Sequence, residues 1–326
     1  MNKNATILSE IMNAYLRWKS VNGPPRGYEI YHPSEFGGCL RKMQYRRYAE
    51  RGLIEVSPQT HEAKTIRIFD TGHTMHDRWA KYWEHLGVLR GVWECKNPRC
   101  KMWDDAGVLD PSADMHAPPR VYGREEKLGV FKPDRCACGH DDFTYHEITI
   151  QNEDLNIKGH VDQILDFSRF TGRKFFKQGQ SIKNVFFKEE DIPKSPVVCD
   201  MKTINYRSFD FLTQEPPFGY WVQLNIYMNI LDLEYGVLYF ENKNDSRTKI
   251  IKVDRDESLW EKIKEQIENM QWMASLDHPK LPPPRPPNLS NRECNYCEFK
   301  PMCSKSKIWE DPELNQKRLR FYGDFE

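Results

Sequence analysis

The spacing of apolar and polar positions along this 326-residue chain changes several times, and each change marks an element. From residue 6 to 52 the pattern is helical, with Ser34 placed to cap a second helix, "SEFGGCLRKMQYRRYAERG". A long helix follows in "TIRIFDTGHTMHDRWAKYWEHLG", whose apolar residues recur every three or four positions up to Gly87. Residues 93 to 146 lose that period, hold four cysteines and are rich in Pro, Gly and Asp, so they read as an inserted small module. "LNIKGHVDQILDF" alternates like a strand, and "SPVVCDMKTI" is a second strand after a basic insertion. "YWVQLNIYMNILDLEYG" is an apolar helix stopped by Gly236, followed by strands "VLYFEN" and "TKIIKVD" and a helix from Glu257 to about Leu276. "HPKLPPPRPP" is then a stiff extended connector. This order predicts an α/β fold with a central mixed sheet flanked by helices. It divides into a helical part (1–92), the insertion (93–146), a core (147–278) and a C-terminal segment (279–326).

Composition narrows the class. Charged residues make up 29% and apolar residues 39%, and no apolar run approaches the roughly 18 residues that a membrane span needs. The first twenty residues read as an amphipathic helix without the apolar core of a secretion signal, so the expected location is the cytoplasm. Lys plus Arg and Asp plus Glu number 48 each, so net charge neither favours nor excludes nucleic acid. Nine cysteines in a chain without a secretion signal favour metal sites over disulfides. There is no Gly-x4-Gly-Lys-Ser/Thr phosphate loop, which argues against a fused ATP motor.

Candidate chemistry gathers in the core. On a strand, Asp200 and Lys202 of "VVCDMKT" share one face while Cys199 and Met201 take the other. Asp162 in "GHVD" lies on the preceding strand, where Gly159 leaves room for close backbone approach. Two carboxylates on adjacent strands can share a divalent cation, with oxygen ligands suited to Mg²⁺ or Mn²⁺. Lys202 is then placed to orient a water. Upstream, Gly72 and His76 are one helical turn apart, so the imidazole sits beside a residue that permits close packing. Gln223 and Tyr227 share a helix face, either as part of a core helix with one buried amide or as side chains reaching the substrate.

The cysteines fall into two sets. Cys95-x4-Cys100 and Cys136-x-Cys138 pair as in a zinc ribbon, with Gly139 in "CACGH" for a tight turn and His140 as an alternative ligand. Cys294, Cys297 and Cys303 in "CNYCEFKPMC" supply three thiolates where a closed site needs four. Cys199, flanked by Val198 and Met201, reads as a buried free thiol.

Gly-x3-His, Gly-x2-Asp, Asp-x-Lys and Gln-x3-Tyr, in that order, resemble the RecB-type branch of the PD-(D/E)xK nuclease superfamily. The resemblance implies a restriction-endonuclease-like core and a catalytic set of His76, Asp162, Asp200, Lys202, Gln223 and Tyr227. His76, Asp162 and Asp200 would hold Mg²⁺ or Mn²⁺. Iron-sulfur members of this branch, including Cas-four, AddB-type and Dna-two-type nucleases, place one cysteine before the core and three after it. Ser34-x4-Cys39-x-Arg41, with Tyr45 following, is similar to their N-terminal signature. This implies Cys39 as the fourth ligand of a 4Fe-4S cluster with Cys294, Cys297 and Cys303. A structural zinc at the same four cysteines is the plainer alternative.

Basic and aromatic residues interleave in "SRFTGRKFFKQGQSIKNVFFKEED", where Arg173, Lys174 and Lys177 could meet phosphates and Phe rings could stack on bases. A hairpin with its Phe residues in the core reads equally well. Arg41, in "RKMQYRR", marks a second phosphate-facing patch. Together these features point to a metal-dependent deoxyribonuclease, more an exonuclease on single strands than an endonuclease. Its expected partners are DNA and helicase, recombination or CRISPR/viral replication proteins. The rivals are a non-catalytic DNA-binding adaptor that keeps the nuclease fold and, further off, a zinc-dependent transcription regulator.

Overall fold

A computed structural model describes residues 3–23, 27–55, 61–104, 106–109, 112, 117–170, 193, 196–275, 294 and 297–305. Helices α1 (Lys3–Asn22), α2 (Leu40–Glu50) and α3 (Ala63–Leu86) come first. Strands β1 (Leu89–Cys95), β2 (Val121–Tyr122), β3 (Val130–Phe131), β4 (Phe143–His146), β5 (Ile148–Asn152), β6 (Ile157–Val161), β7 (Gln163–Leu165) and β8 (Val197–Ile204) follow. The chain continues through α4 (Tyr206–Asp210), α5 (Phe218–Leu231), β9 (Tyr235–Asn242), β10 (Thr248–Asp254), α6 (Glu257–Ser275) and α7 (Lys300–Lys305). No helix among the described residues is long and apolar enough to cross a membrane.

The sheet runs β10-β9-β8-β7-β1-β2, and β8 and β9 are parallel while the other pairs in this row are antiparallel. It is therefore the mixed sheet expected. Parallel neighbours need a crossover, and α4 and α5 supply it. Leu224, Tyr227, Met228 and Leu231 of α5 cover one face, packing on Val198, Leu238, Phe240 and Ile251. Ala80 of α3 joins the opposite face with Cys199, Met201 and Tyr239, so the alternation read from β8 is the one observed. The β5–β6 hairpin lies beneath α5, and α6 packs outside both with Ile263, Ile267 and Met270.

Four boundaries differ from expectation. The second helix begins at Leu40, not at Ser34, which lies in the one-turn helix Pro33–Glu35. Gly37 and Gly38 break the chain there, because a Cβ on Gly37 would overlap the Gly219 backbone at the start of α5. Helix α5 ends at Asp232, which adopts the left-handed conformation (φ 59°), while Gly236 lies inside β9 against Leu224. "LNIKGHVDQILDF" is two strands split at Asp162. The insertion does not start at residue 93: β1 pairs with β7 at Leu89 and Arg90 and then with β4 from Val92 to Cys95, so one strand belongs to both the core and the cysteine module. The Pro-rich connector and Arg173, Lys174 and Lys177 lie outside the described residues.

The two glycines singled out around the site also differ. Gly159 accommodates the Pro33 ring and Tyr227 rather than a backbone. Gly72 faces open space, so His76 is not beside a tight helix contact. Replacing Gly37 by Ala should lower stability by about 2 kcal/mol through overpacking, whereas Gly72→Ala should raise it by up to about 1 kcal/mol through helix propensity. Thermal unfolding of the two variants, with midpoints moving in opposite directions, checks both assignments.

Candidate functional site

Asp162 occupies the break between β6 and β7, where neither strand claims its backbone. Its Oδ2 accepts the Met201 N–H of β8 at 2.8 Å, and its Oδ1 lies 3.5 Å from His76 Nδ1 on α3. Glu147, between β4 and β5, completes a group in which one ligand atom each of His76, Glu147 and Asp162 lie within 4.8 Å of one another. The sequence reading missed Glu147. Its signal was weak: a polar residue just ahead of the alternating "ITI", a pattern shared by many solvated strand ends.

Asp200 stands beside this group but is engaged elsewhere. Lys202 Nζ is 2.9 Å from its Oδ1 and 2.8 Å from its Oδ2. Lys202 also reaches Gln223 Oε1 at 3.4 Å and sits 5.0 Å from the centre of the Tyr220 ring. Gln223 Nε2 donates to Asp200 Oδ1 at 3.4 Å and to the Tyr227 hydroxyl at 2.9 Å. Gln223 and Tyr227 are both buried, at 8% and 3% exposure, so they do not reach out to a substrate. They brace the Asp200–Lys202 pair from behind, because the helix face they share is turned into the core.

Protonation follows this arrangement. Burial pushes Asp200 up to about 6, against the pull of Lys202 and with added repulsion from Asp162. Burial, reinforced by Asp162, pushes Glu147 up to about 7. Burial pushes Asp162 up most strongly of any single influence, but the His76 bond and charge, the Lys202 charge and the Met201 N–H together hold it below the usual range. Burial disfavours the His76 imidazolium, yet the Asp162 carboxylate wins and lifts its pKa. A hard divalent cation fits this donor set: the acids are crowded, and Asp200 Oδ2 is buried without a well-directed hydrogen bond despite its ion pair with Lys202.

The second cysteine set also converges. Cys95, Cys136 and Cys138 form a group able to hold a metal ion, with the Cys95 and Cys138 sulfurs 3.8 Å apart. Cys100 lies beside them and feels Cys95, Cys136 and Cys138 electrostatically. Donors already point at the sulfurs: Arg120 N–H to Cys100 at 2.8 Å, the Tyr122 hydroxyl to Cys136 at 3.3 Å, and Asn97 Nδ2 to Cys138 at 3.5 Å. Gly139 makes the tight turn at φ +81°, while His140 contributes its carbonyl to Cys136 N–H.

Cys39 lies near Cys297 and Cys303, and burial, with a smaller push from those thiols, raises its pKa. The C-terminal segment docks on α2: Phe299 stacks on Tyr45 at 5.2 Å, and Glu298 pairs with Arg46 at 3.0 Å and Lys42 at 3.2 Å. Arg41 is a correction. It is 8% exposed, its guanidinium 5.5 Å from the Tyr45 ring centre and bonded to the Tyr45 hydroxyl, so it supports this packing instead of facing phosphates.

No family model and no curated protein matches the chain. Among solved structures, SSO0001 is similar over 92% of this chain and 98% of that one, at 13% identity and a TM-score of 0.40. Likeness at that level carries no functional argument, and the chemistry rests on the side chains.

A cation can bind only after Asp200 and Glu147 lose their protons and His76 is neutral. Mn²⁺ affinity should therefore climb from about pH 5.5 to about pH 8, with protons released on binding. Calorimetric titrations in buffers of different ionisation enthalpy measure both quantities.

Proposed function

We propose that the chain is a divalent-metal-dependent deoxyribonuclease that hydrolyses phosphodiester bonds, acting as an exonuclease on single-stranded DNA. The observation that carries this reading is the convergence of His76, Glu147 and Asp162 next to the Asp200–Lys202 pair. One imidazole and several carboxylates make an oxygen-rich donor set of the kind Mg²⁺ and Mn²⁺ take. Such an ion, when bound, neutralises phosphate charge and lowers the pKa of a coordinated water. His76, Glu147 and Asp162 would hold it, with Asp200 beside them as a further candidate ligand. Lys202 orients the attacking water and offsets the negative charge that develops on the phosphate, while Gln223 and Tyr227 keep that pair from turning away.

The cysteine sets fit two further cofactors. A tetrahedral ion with sulfurs at about 2.3 Å separates them by about 3.8 Å, which matches Cys95 and Cys138 and supports zinc with Cys100 and Cys136 completing the site. Among the described residues, Cys39, Cys294, Cys297 and Cys303 do not close to within 4.8 Å as a three-residue group. What supports a 4Fe-4S cluster, whose cysteines bind separate iron corners, is the family resemblance together with Cys39 lying near Cys297 and Cys303. None of the nine cysteines is in a disulfide, which fits metal ligation in a reducing cytoplasm where DNA, a helicase, or recombination, CRISPR or viral replication proteins would be the partners.

The test uses anaerobically purified protein, assayed for iron, sulfide and zinc, then incubated with end-labelled single- and double-stranded DNA and Mn²⁺. We expect about four irons, one zinc and loss of the single strand from an end. Asp200→Ala should reduce cleavage by more than about a hundredfold with iron content unchanged. Cleavage at the wild-type rate in that variant would overturn the assignment; DNA binding without cleavage in the wild type would favour a non-catalytic adaptor.

A further inference from the structure

We propose that Tyr145, on a strand anchored in the cysteine module, is a positioning residue for the cation site. This rests on the metal-dependent reading above. Tyr145 lies on β4, and its hydroxyl donates to the backbone carbonyl of Asp162 at 2.8 Å. That carbonyl sits at the break between β6 and β7, where sheet pairing does not hold the backbone. The same short strand runs directly into Glu147. One strand of the module thus controls two of the three convergent ligands: Glu147 by chain connection and Asp162 by a hydrogen bond.

The surroundings leave the tyrosine little freedom. Its ring fills the space opposite Gly91, where a Cβ would overlap it. It also packs on Trp93 with ring centres 5.3 Å apart, and the Trp93 indole is fixed by its bond to the Val130 carbonyl at 3.0 Å. Strand β4 is paired residue for residue with β1, Tyr145 opposite Trp93 and Phe143 opposite Cys95. Cys95 belongs to the cysteine group, so the partner strand of β4 is anchored in the module at its far end. A buried carbonyl that loses its donor is left unpaired, and the break is then free to turn the carboxylate away.

The experiment is Mn²⁺ titration of the full-length protein, with the cysteine sites loaded, in wild type, Tyr145→Phe and Tyr122→Phe. Tyr122 is the control: its hydroxyl meets Cys136 inside the same module and touches neither ligand. Loss of a group that orients a ligand typically weakens metal affinity 10–100-fold, so Tyr145→Phe should bind Mn²⁺ about tenfold more weakly. Its thermal midpoint without Mn²⁺ should stay within a few degrees of wild type, and Tyr122→Phe should bind as wild type. Unchanged affinity in Tyr145→Phe, or equal weakening in both variants, overturns the positioning role. Absence of Mn²⁺ binding in the wild type overturns the metal reading itself, a separable result.

Discussion

The break in the chain at Asp162 is the constraint around which the rest of the site is arranged. β6 pairs with β5 in a separate hairpin, and β7 pairs with β8 and β1 in the main sheet, so the residue between them belongs to neither ladder. A backbone that leaves a ladder must satisfy its polar groups by other means. Here the Tyr145 hydroxyl donates to the carbonyl, and the Asp162 carboxylate itself accepts the Met201 N–H. The side chain is therefore held rigidly while one oxygen remains directed at His76.

Around that point the protein accumulates more carboxylate than it neutralises. Lys202 answers Asp200, and His76 answers Asp162, while Glu147 has only a share of the His76 charge. Burial, with the repulsion among these carboxylates added, makes Asp200 and Glu147 hold protons well above the ordinary carboxyl range. Because the folded state then binds protons that the unfolded chain gives up, these two groups weaken the metal-free fold as pH rises from about 4 to about 7. A divalent cation removes the same repulsion, which is the physical link between the electrostatics of the site and its proposed chemistry.

The termini of the core are tied by packing of a different kind. Tyr45, Tyr48 and Phe299 form a small cluster against Cys297 and Cys303, while Glu298 accepts charge from Lys42 and Arg46. Surface ion pairs contribute little, but these are largely covered and flank a stacked aromatic pair, so they orient the C-terminal segment beside Cys39.

Local periodicity alone determined much of this protein. The alternation in "VVCDMKTI" placed Asp200 and Lys202 opposite Cys199 and Met201, and the helical and strand periods yielded the α/β order, because those patterns depend only on near neighbours. Spacing marked Cys95, Cys100, Cys136 and Cys138 as one metal-binding set, and of these Cys95, Cys136 and Cys138 come together as a group able to hold a metal. What required the tertiary structure was everything set by non-local approach. Ser34 lost its capping role because Gly37 must meet Gly219, and Arg41 turned inward because the C-terminal segment covers α2. Gln223 and Tyr227 share a face in sequence, but only the seating of α5 decided that the face is buried. Glu147 has only a weak local mark, shared with many solvated strand ends. It joins His76 and Asp162 because three elements distant in sequence are brought to one point, and a one-dimensional pattern carries no information about where separate strands meet.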